Sequence, residues 1–312
     1  MKNKWEFISR HRLVKDRNYM RIPLFLHIEL TQKCPVGCPQ CYVDASALSF
    51  KWCDLSQRIV EASEWGVERI LLTGGEPLVY PQLYEVLCLL NKLQMQYTIS
   101  TSGFSLSSEK IRWLSETGVY RVYVSLNGST QKIHNISRNR YDDAISALVQ
   151  LNNSKISAGI NWVARSDNYL DFPNIVKLGE KYNANEIVVL ANKPDSNGHI
   201  QAEMSMSQIT QLADMIKYID LKEKFISIDP CFFQLQELMN AWGRTKTSIF
   251  LCSGGKIFCD ILADNSIKCC RHLMSSDNAK NVNTRGISIE TFWNLRTLDS
   301  IRHVDVPCSQ NK

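Results

Sequence analysis

The chain has 312 residues, of which 44% are hydrophobic and 21% are charged. This balance excludes a disordered or fibrous protein, and the length suits two domains or one α/β barrel with an extension. The net charge of +5 is too small and too dispersed to indicate a nucleic-acid partner. No apolar run reaches the ~18 residues of a membrane span, and the basic N-terminus lacks the apolar block of a secretory signal. The sequence therefore predicts a soluble, cytoplasmic protein with no nucleic-acid or membrane partner.

Six strand-like runs alternate with amphipathic helical patterns. The runs are short, apolar and rich in β-branched residues, which is typical of strands buried on both faces. Strands are predicted over 25–30, 69–73, 96–100, 121–126, 159–164 and 186–190, and helices over 55–65, 81–90, 142–151, 173–182 and 205–219. Six βα units are too few to close an eight-stranded barrel. We therefore expect an α/β fold with a partial (β/α)6 TIM-type barrel of parallel strands, or an open sheet.

Unusual motifs follow four of these predicted strands. A cysteine loop follows the first strand, GGEP the second, TSG the third and NG the fourth. In parallel α/β sheets the reactive groups lie at the carboxyl ends of the strands. The motifs therefore predict one active site at that edge of the sheet.

The cysteine loop carries Cys34, Cys38 and Cys41 with the spacing C-x3-C-x2-C. Three thiolates on one loop can hold three corners of a [4Fe–4S] cluster and leave the fourth iron open to a small molecule. The alternative is zinc, which takes four ligands in a closed structural site, but no fourth Cys or His lies in the loop. Eleven cysteines in a chain without a secretory signal also favour metal or redox chemistry.

The cysteine loop, an aromatic residue at Tyr42 and the GGEP motif together resemble the radical S-adenosylmethionine (SAM) enzymes. The resemblance implies that Cys34, Cys38 and Cys41 hold the cluster and that the open iron binds the methionine part of SAM. It implies reductive cleavage of SAM to a 5′-deoxyadenosyl radical, which abstracts hydrogen from a substrate. The electron would come from a flavodoxin- or ferredoxin-type donor.

The same resemblance implies where SAM is bound. Gly74, Gly75, Glu76 and Pro77 form the motif whose backbone and side-chain oxygens would accept hydrogen bonds from the methionine amine. Arg138 matches an arginine that pairs with the SAM carboxylate, for which its forked side chain is suited. The alternative for Arg138 is a solvated arginine.

Three further SAM contacts are expected at the strand ends. Ser125 matches a serine of the fourth-strand motif, although Asn127 and Asn135 stand where the family usually has Asp. Ser100 and Leu190 are candidate ribose and adenine contacts. For Leu190 the alternative is core packing.

The C-terminal part of the chain holds a second set of cysteines. Asp264-Asn265 between two alternating runs predicts a β-hairpin. This segment resembles the twitch or SPASM extension of radical SAM enzymes, which implies an auxiliary [4Fe–4S] cluster. The implied ligands are Cys252, Cys270 and Cys308, with the fourth left open between Cys259, which we favour, and Cys231. A zinc-bound hairpin or free thiols are the alternatives.

Three segments follow from this organisation. We predict a basic arm over 1–21, a radical SAM barrel over 22–220 and an auxiliary-cluster domain over 221–312. The arm suits an acidic leader peptide, or is simply a solvated terminus. A short extra strand is expected over 224–229.

The sequence thus predicts an enzyme that abstracts hydrogen from a ribosomally made precursor peptide. Cys231 and Cys269 are the spare thiols, and either could return a hydrogen atom in an L-to-D epimerisation; a buried thiol or an extra ligand is the alternative for both. A carbon–carbon or thioether crosslink is a second outcome. Dehydrogenation or epimerisation of an aminocyclitol or sugar is a third, and a non-catalytic iron–sulfur electron carrier is disfavoured because it needs no SAM site.

Overall fold

The computed structural model describes residues 19–43, 46–195, 198–219, 226–241, 252–272 and 284–302. The predicted ligand Cys308 and residues 1–18 of the predicted arm lie outside the described residues. In the described ranges no helix combines the length and the apolar character needed to cross a lipid bilayer.

One sheet runs through the described part of the chain. Its strands are β1 (Phe25–Glu29), β2 (Arg69–Thr73), β3 (Gln96–Thr101), β4 (Arg121–Ser125), β5 (Ala158–Val163), β6 (Glu186–Leu190), β7 (Ile226–Ile228), β8 (Phe258–Ile261) and β9 (Ile267–Lys268). The order is β7-β6-β5-β4-β3-β2-β1-β8-β9, and every neighbouring pair is parallel except β8 and β9. This confirms the predicted α/β fold with a partial barrel. The predicted extra strand is confirmed as β7.

Helices connect the strands and cover the sheet. They are α1 (Trp52–Trp65), α2 (Leu83–Lys92), α3 (Ser108–Glu116), α4 (Gln131–His134), α5 (Tyr141–Ser154), α6 (Phe172–Lys181), α7 (Met206–Ile219), α8 (Phe233–Ala241), α9 (Ile289–Trp293) and α10 (Asp299–Arg302). Helix α1 ends as predicted at Gly66, whose φ of 102° suits glycine. Helix α3 was not predicted from the sequence. Leu114 is the one residue that it buries, so its sequence shows no apolar stripe.

Alternation along the strands separates the core from the barrel interior. In β1, Leu26 and Ile28 are fully buried in the core with the helices. Phe25 and His27 point to the other face, where their rings lie 5.3 Å apart between centroids. Because successive side chains of a strand point to opposite faces, the same rule places the interior-facing residues of the other strands.

The predicted hairpin joins the barrel sheet. Strand β8 pairs with β1, with Phe25 opposite Phe258 and His27 opposite Asp260. The turn is as predicted, because Asn265 has a φ of 64° and its N–H donates to the Leu262 carbonyl at 2.8 Å. The hydrogen-bonded sheet therefore continues past the predicted boundary at residue 220.

Residues 19–24 tie the start of the described chain to its C-terminal part. The Met20 N–H donates to the Lys256 carbonyl at 2.8 Å, and Trp293 Nε1 donates to the Met20 carbonyl at 2.9 Å. The buried guanidinium of Arg302 lies 3.6 Å from the centre of the Tyr19 ring. Tyr19 and Met20 of the predicted arm are thus packed against the C-terminal helices.

Candidate active site

The cysteine loop leaves β1 and packs directly on the glycine turn after β2. The Gly75 N–H donates to the Thr31 carbonyl at 2.6 Å, and the Glu76 N–H donates to the Lys33 carbonyl at 2.9 Å. A Cβ atom at Gly74 would lie 2.4 Å from the Thr31 oxygen, and one at Gly75 would lie 2.5 Å from the Lys33 oxygen. Only glycine fits at these two positions, because the two backbones touch.

The thiols of Cys34, Cys38 and Cys41 lie half-buried on this loop. Burial raises the pKa of Cys34, and the nearby charges of Glu76, Cys38 and Cys41 add to the rise. In the described residues no three His, Cys, Asp or Glu side chains are already gathered around the place of one metal ion. Three neighbouring thiols are nevertheless the donor set of a [4Fe–4S] cluster, which takes one thiolate per iron. The residues present therefore fit the predicted cluster.

The Glu76 carboxylate is fully buried and holds the neighbouring loops together. It accepts hydrogen bonds from the Thr101 hydroxyl at 2.6 Å, the Ser102 N–H at 2.9 Å and the Leu78 N–H at 3.1 Å. Burial raises the pKa of Glu76, and the hydrogen bonds from Ser102 and Thr101 oppose that rise. Protein donors thus occupy the side-chain oxygens. The backbone carbonyls of the motif remain the better acceptors for an ammonium group, and Pro77 begins the short helical turn that follows.

The predicted ribose and adenine contacts face the barrel interior. Ser100 accepts a hydrogen bond from Asn161 Nδ2 at 3.0 Å. Ser125 lies opposite Asn161 in the paired strands, and Leu190 lies opposite Val163. Leu190 is half-buried and alternates with fully buried residues of β6, so it belongs to the interior face. Asn161 is a polar interior residue that the sequence motifs did not reveal.

The segment after α4 reaches the cysteine loop. Asn139 Nδ2 donates to the carbonyl oxygens of Gly37 at 2.7 Å and Val36 at 3.2 Å. Arg138 precedes Asn139, and no side-chain partner of its guanidinium is present among the described residues. The charge of Arg138 lies near His134, and its predicted role towards SAM stays a prediction. Asn139 was missed because a single asparagine carries no spacing signal.

Asn127 organises the base of that segment. Its amide donates to the Ser137 hydroxyl at 2.8 Å and accepts the Val163 N–H at 3.2 Å. Its own N–H is bonded to Nδ1 of His134 at 3.2 Å. Burial and, to a lesser degree, the charge of Arg138 lower the pKa of His134 to about 4. The ring is therefore neutral and can accept this bond.

Tyr42 is 39% exposed at the end of the cysteine loop. Its ring meets the ring of His272 edge-on, with centroids 4.3 Å apart. His272 follows Cys270 by two residues. The loop of the first predicted cluster therefore touches the segment that carries the second set of thiols.

The C-terminal thiols fall into two neighbourhoods. Cys259 lies opposite Leu26 and is fully buried in the core. Burial raises the pKa of Cys259, and nearby Cys269 adds to the rise. Burial also raises the pKa of Cys270, but there Asp260 adds to the rise and Lys193 opposes it. Adjacent Cys269 and Cys270 thus have different surroundings.

Cys231 follows β7 at the carboxyl edge of the sheet. Burial raises the pKa of Cys231 to about 12, while the cation of Lys193 opposes the rise. The thiols of Cys252 and Cys270 lie near Cys231, and Cys252 also lies near Cys269. Of the two candidates for a fourth ligand, Cys259 therefore lies with Cys269 and Cys231 lies with Cys270.

A buried ion network joins β1 to the segment after Cys270. Arg271 Nε lies 3.0 Å from Asp260 Oδ1, and its Nη1 lies 3.5 Å from Glu29 Oε1. His27 Nδ1 also contacts Asp260 at 3.2 Å. Burial acts to raise the pKa of Asp260, but Arg271 and His27 together hold it well below its usual range. No local pattern in the sequence predicts this network.

About half of the chain matches a known protein family. Residues 28–179 match the model described as the Radical SAM superfamily. These residues run from β1 into α6. They include the cysteine loop, the glycine turn and the segment of Arg138.

Individual proteins are similar over most of the chain. PqqA peptide cyclase of Gluconobacter oxydans is 20% identical over 291 residues, which are 88% of this chain and 78% of that protein. Streptococcus suis SuiB bound to the precursor peptide SuiA superposes with a TM-score of 0.75 at 17% identity, covering 96% of this chain and 70% of SuiB. The protein anSMEcpe with bound AdoMet and the Cp18Cys peptide gives a TM-score of 0.67 at 16% identity, covering 88% and 80%. At these identities the structural likenesses show a shared fold.

Proposed function

This chain is a radical SAM enzyme, and we propose that it abstracts hydrogen from a ribosomally made precursor peptide and inverts the residue from L to D. The observation that carries the proposal is the position of Cys231, a thiol outside the cysteine loop at the same carboxyl edge of the sheet. The likeness to SuiB, which binds a precursor peptide, supports a peptide substrate. So does the likeness to PqqA peptide cyclase.

Cys34, Cys38 and Cys41 would hold the SAM-binding [4Fe–4S] cluster. When bound, this cluster supplies the electron that splits SAM and yields the 5′-deoxyadenosyl radical. The carbonyl oxygens of the glycine turn would accept the methionine amine. Arg138 would pair with the methionine carboxylate, for which the guanidinium offers two parallel donors.

The interior face of the barrel would bind the rest of SAM. Ser100 and Ser125 offer hydroxyl groups to the ribose, and Leu190 offers an apolar surface to the adenine. Tyr42, whose ring packs against His272, would cover the exposed side of the bound SAM.

Cys231 would return a hydrogen atom to the peptide: its S–H bond breaks, a C–H bond forms at the α-carbon radical, and the thiyl radical left on Cys231 takes one electron from the electron donor and one proton from solvent. Inversion requires removal of a hydrogen atom from one face of the α-carbon and delivery of another to the opposite face. A hydrogen-atom donor must carry its proton, and the raised pKa of Cys231 keeps the thiol protonated at neutral pH. Cys269, the second predicted donor, lies with Cys259 against the core, which favours Cys231.

An auxiliary [4Fe–4S] cluster is proposed near the hairpin. Its ligands would include Cys252, Cys259 and Cys269, because Cys269 is near the other two. Cys308 would supply the fourth corner. This set retains the predicted ligand Cys259. It replaces the predicted ligand Cys270, whose thiol lies near Cys231, with Cys269. The other group of neighbours, Cys252, Cys231 and Cys270, would use the proposed hydrogen donor as a ligand.

The proposal includes an electron donor and a compartment. A flavodoxin- or ferredoxin-type protein would supply the electron. The ten cysteines of the described residues are all free thiols, which suits the reducing cytoplasm.

The test is an anaerobic reaction with SAM, dithionite and candidate precursor peptides in deuterated water, read by mass spectrometry. Epimerisation through an exchangeable thiol adds one deuterium per modified residue. Cys231→Ala should form 5′-deoxyadenosine but no epimer, while Cys53→Ala, an exposed thiol, should behave as the parent enzyme. An unchanged epimer yield in Cys231→Ala would remove Cys231 from the mechanism.

Peptide crosslinking is the second candidate. It is favoured by the likeness to PqqA peptide cyclase over 88% of this chain. In the same assay a crosslink removes two hydrogens and adds no deuterium. Consumption of SAM with an added aminocyclitol or sugar, and with no change in any peptide, would support the third candidate instead.

A further inference from the structure

The residue pair Asn192-Lys193, just beyond β6, lies between the cysteine loop and the loop of Cys231. Gln40, which lies between Cys38 and Cys41, donates a hydrogen bond from Nε2 to Asn192 Oδ1. Asn192 Nδ2 in turn donates to the Gln201 carbonyl at 2.7 Å. Asn192 is thus held from two sides, and one of them is the cysteine loop.

Lys193 continues this connection towards Cys231. Its Nζ lies 3.1 Å from Asp229 Oδ2, and the two side chains are only 26% and 12% exposed. Asp229 Oδ1 accepts the Cys231 N–H at 3.1 Å. The Asp229 N–H donates to the Val189 carbonyl of β6 at 2.9 Å. Asp229 therefore accepts a hydrogen bond from the Cys231 backbone with one oxygen and forms an ion pair with Lys193 through the other.

Apolar packing contributes unevenly in this region. Strand β7 has three residues, and none of them is fully buried. In the loop that follows it, Phe232 is buried in the core, whereas Cys231 is only half-buried. The polar contacts of Asn192, Lys193 and Asp229, which we call the brace, hold the Cys231 end of this loop, and Gln236 Nε2 adds hydrogen bonds to the Ile228 and Asp229 carbonyls.

We propose that the brace positions the Cys231 thiol relative to the cysteine loop where the radical is formed. The inference rests on the proposed donor role of Cys231. A donor must stand within contact distance of the α-carbon, and a displacement of about 1 Å can reduce a rate by about 100-fold. Asn192, Lys193 and Asp229 are positioning residues, since none of them exchanges an atom with the substrate.

The test measures how fast iodoacetamide alkylates Cys231 in the anaerobically reconstituted full-length enzyme, by peptide mass spectrometry. Asp229→Ala removes both contacts and should speed Cys231 alkylation by about tenfold. Asp229→Asn keeps an acceptor for the Cys231 N–H but loses the ion pair. Its rate of Cys231 alkylation should therefore lie between those of the parent enzyme and Asp229→Ala. Alkylation of exposed Cys53 in the same sample should not change, which separates local release from general unfolding.

A second variant tests the link to the cysteine loop and is informative even if Asp229→Ala fails to fold. Asn192→Ala should also speed alkylation of Cys231, although it touches neither Cys231 nor Asp229. Asn152→Ala is the matched control, because its amide oxygen bonds to Asn183 far from the site. Its alkylation rates should equal those of the parent enzyme.

Two results would overturn the inference in different ways. Equal Cys231 alkylation in the parent, Asp229→Ala and Asn192→Ala enzymes would show that the brace does not position the thiol. Protection of Cys231 in every variant until iron is removed by a chelator would show that Cys231 is a cluster ligand. That second result would also end its proposed role as hydrogen donor.

Discussion

The two groups of cysteines are assembled in different ways. Cys34, Cys38 and Cys41 lie on one loop that the backbone of the glycine turn holds in place. The described C-terminal thiols come from the end of β7, from β8 and from both sides of the hairpin. The first group needs only β1 and β2, whereas the second needs the hairpin to dock on β1. Apart from the contacts of Gln40 with Asn192 and of Tyr42 with His272, the two sites should therefore fail independently, and each substitution below tests that separation.

The largest effect is expected for Cys38→Ala. The first cluster loses a corner, so formation of 5′-deoxyadenosine should fall to the level without enzyme. The unfolding transition of the hairpin region should be unchanged, because its contacts do not involve Cys38. Cys53→Ala is the control. SAM cleavage that persists in Cys38→Ala would contradict the cluster assignment.

Asp260→Asn should destabilise the region of the hairpin and the C-terminal thiols. It leaves the buried cation of Arg271 without its main partner, which costs about 3–5 kcal/mol of unfolding free energy. Asp264→Asn is the matched control, because its partner Arg285 is largely exposed and such pairs contribute about 1 kcal/mol or less. Urea unfolding followed by tryptophan fluorescence measures both. Equal losses in the two variants would show that the buried network does not hold the hairpin.

Acid should weaken the hairpin region first. The pKa of Asp260 is held below its ordinary value in the folded protein. Its contribution to stability is therefore complete above about pH 4 and is lost as the pH falls through the lowered pKa. Asp260→Asn should flatten this acid limb of the stability curve, whereas Asp264→Asn should change it less. If the acid limb is unchanged in Asp260→Asn, the loss of stability at low pH is caused by other carboxylates.

Arg138→Met should weaken SAM binding without changing the stability of either region. Loss of a charge-assisted hydrogen bond costs about 1.5–3 kcal/mol, which is about a 10- to 100-fold rise in Kd. Arg140→Met removes a half-exposed arginine two residues away, which pairs with Asp143, and serves as the control. Equilibrium dialysis with labelled SAM gives both constants. An unchanged Kd in Arg138→Met would make Arg138 a solvated arginine.

The smallest effect is expected for Asn139→Ala. Two bonds from Asn139 to the cysteine loop are lost, each contributing about 1 kcal/mol. Iron should leave the first cluster several-fold faster when a chelator is added. Cys252, Cys259, Cys269 and Cys270, which the brace does not contact within the described residues, should show the alkylation rates of the parent enzyme. Faster alkylation there would mean that the two regions are coupled after all.

Local features of this molecule were predictable from its sequence. The predicted bounds of β2 and β6 match the observed strands, because both are continuous apolar runs buried on one face and lining the barrel on the other. The glycine turn was also predictable, since two consecutive glycines after a strand indicate a place where two backbones come into contact. The cysteine spacing identified the first site because all three of its ligands lie within one loop.

Long-range pairings were not predictable. Nothing near β8 in the sequence tells that it pairs with β1, and nothing links Arg271 with Glu29. Asn139 and Asn161 were missed because each is a single polar residue without a spacing signal. The contact of Gln40 with Asn192 spans 152 residues. Such contacts depend on the folded barrel.

The pairing of β8 with β1 has a consequence for synthesis of the protein. His27 and its partner Asp260 are 233 residues apart, so the outer edge of β1 stays unpaired while the ribosome makes most of the chain. An open strand edge is a template for pairing with another chain, and contacts of such long separation form slowly. Newly made copies should therefore depend on chaperones until the hairpin emerges, and crowded expression should favour aggregates that begin at β1.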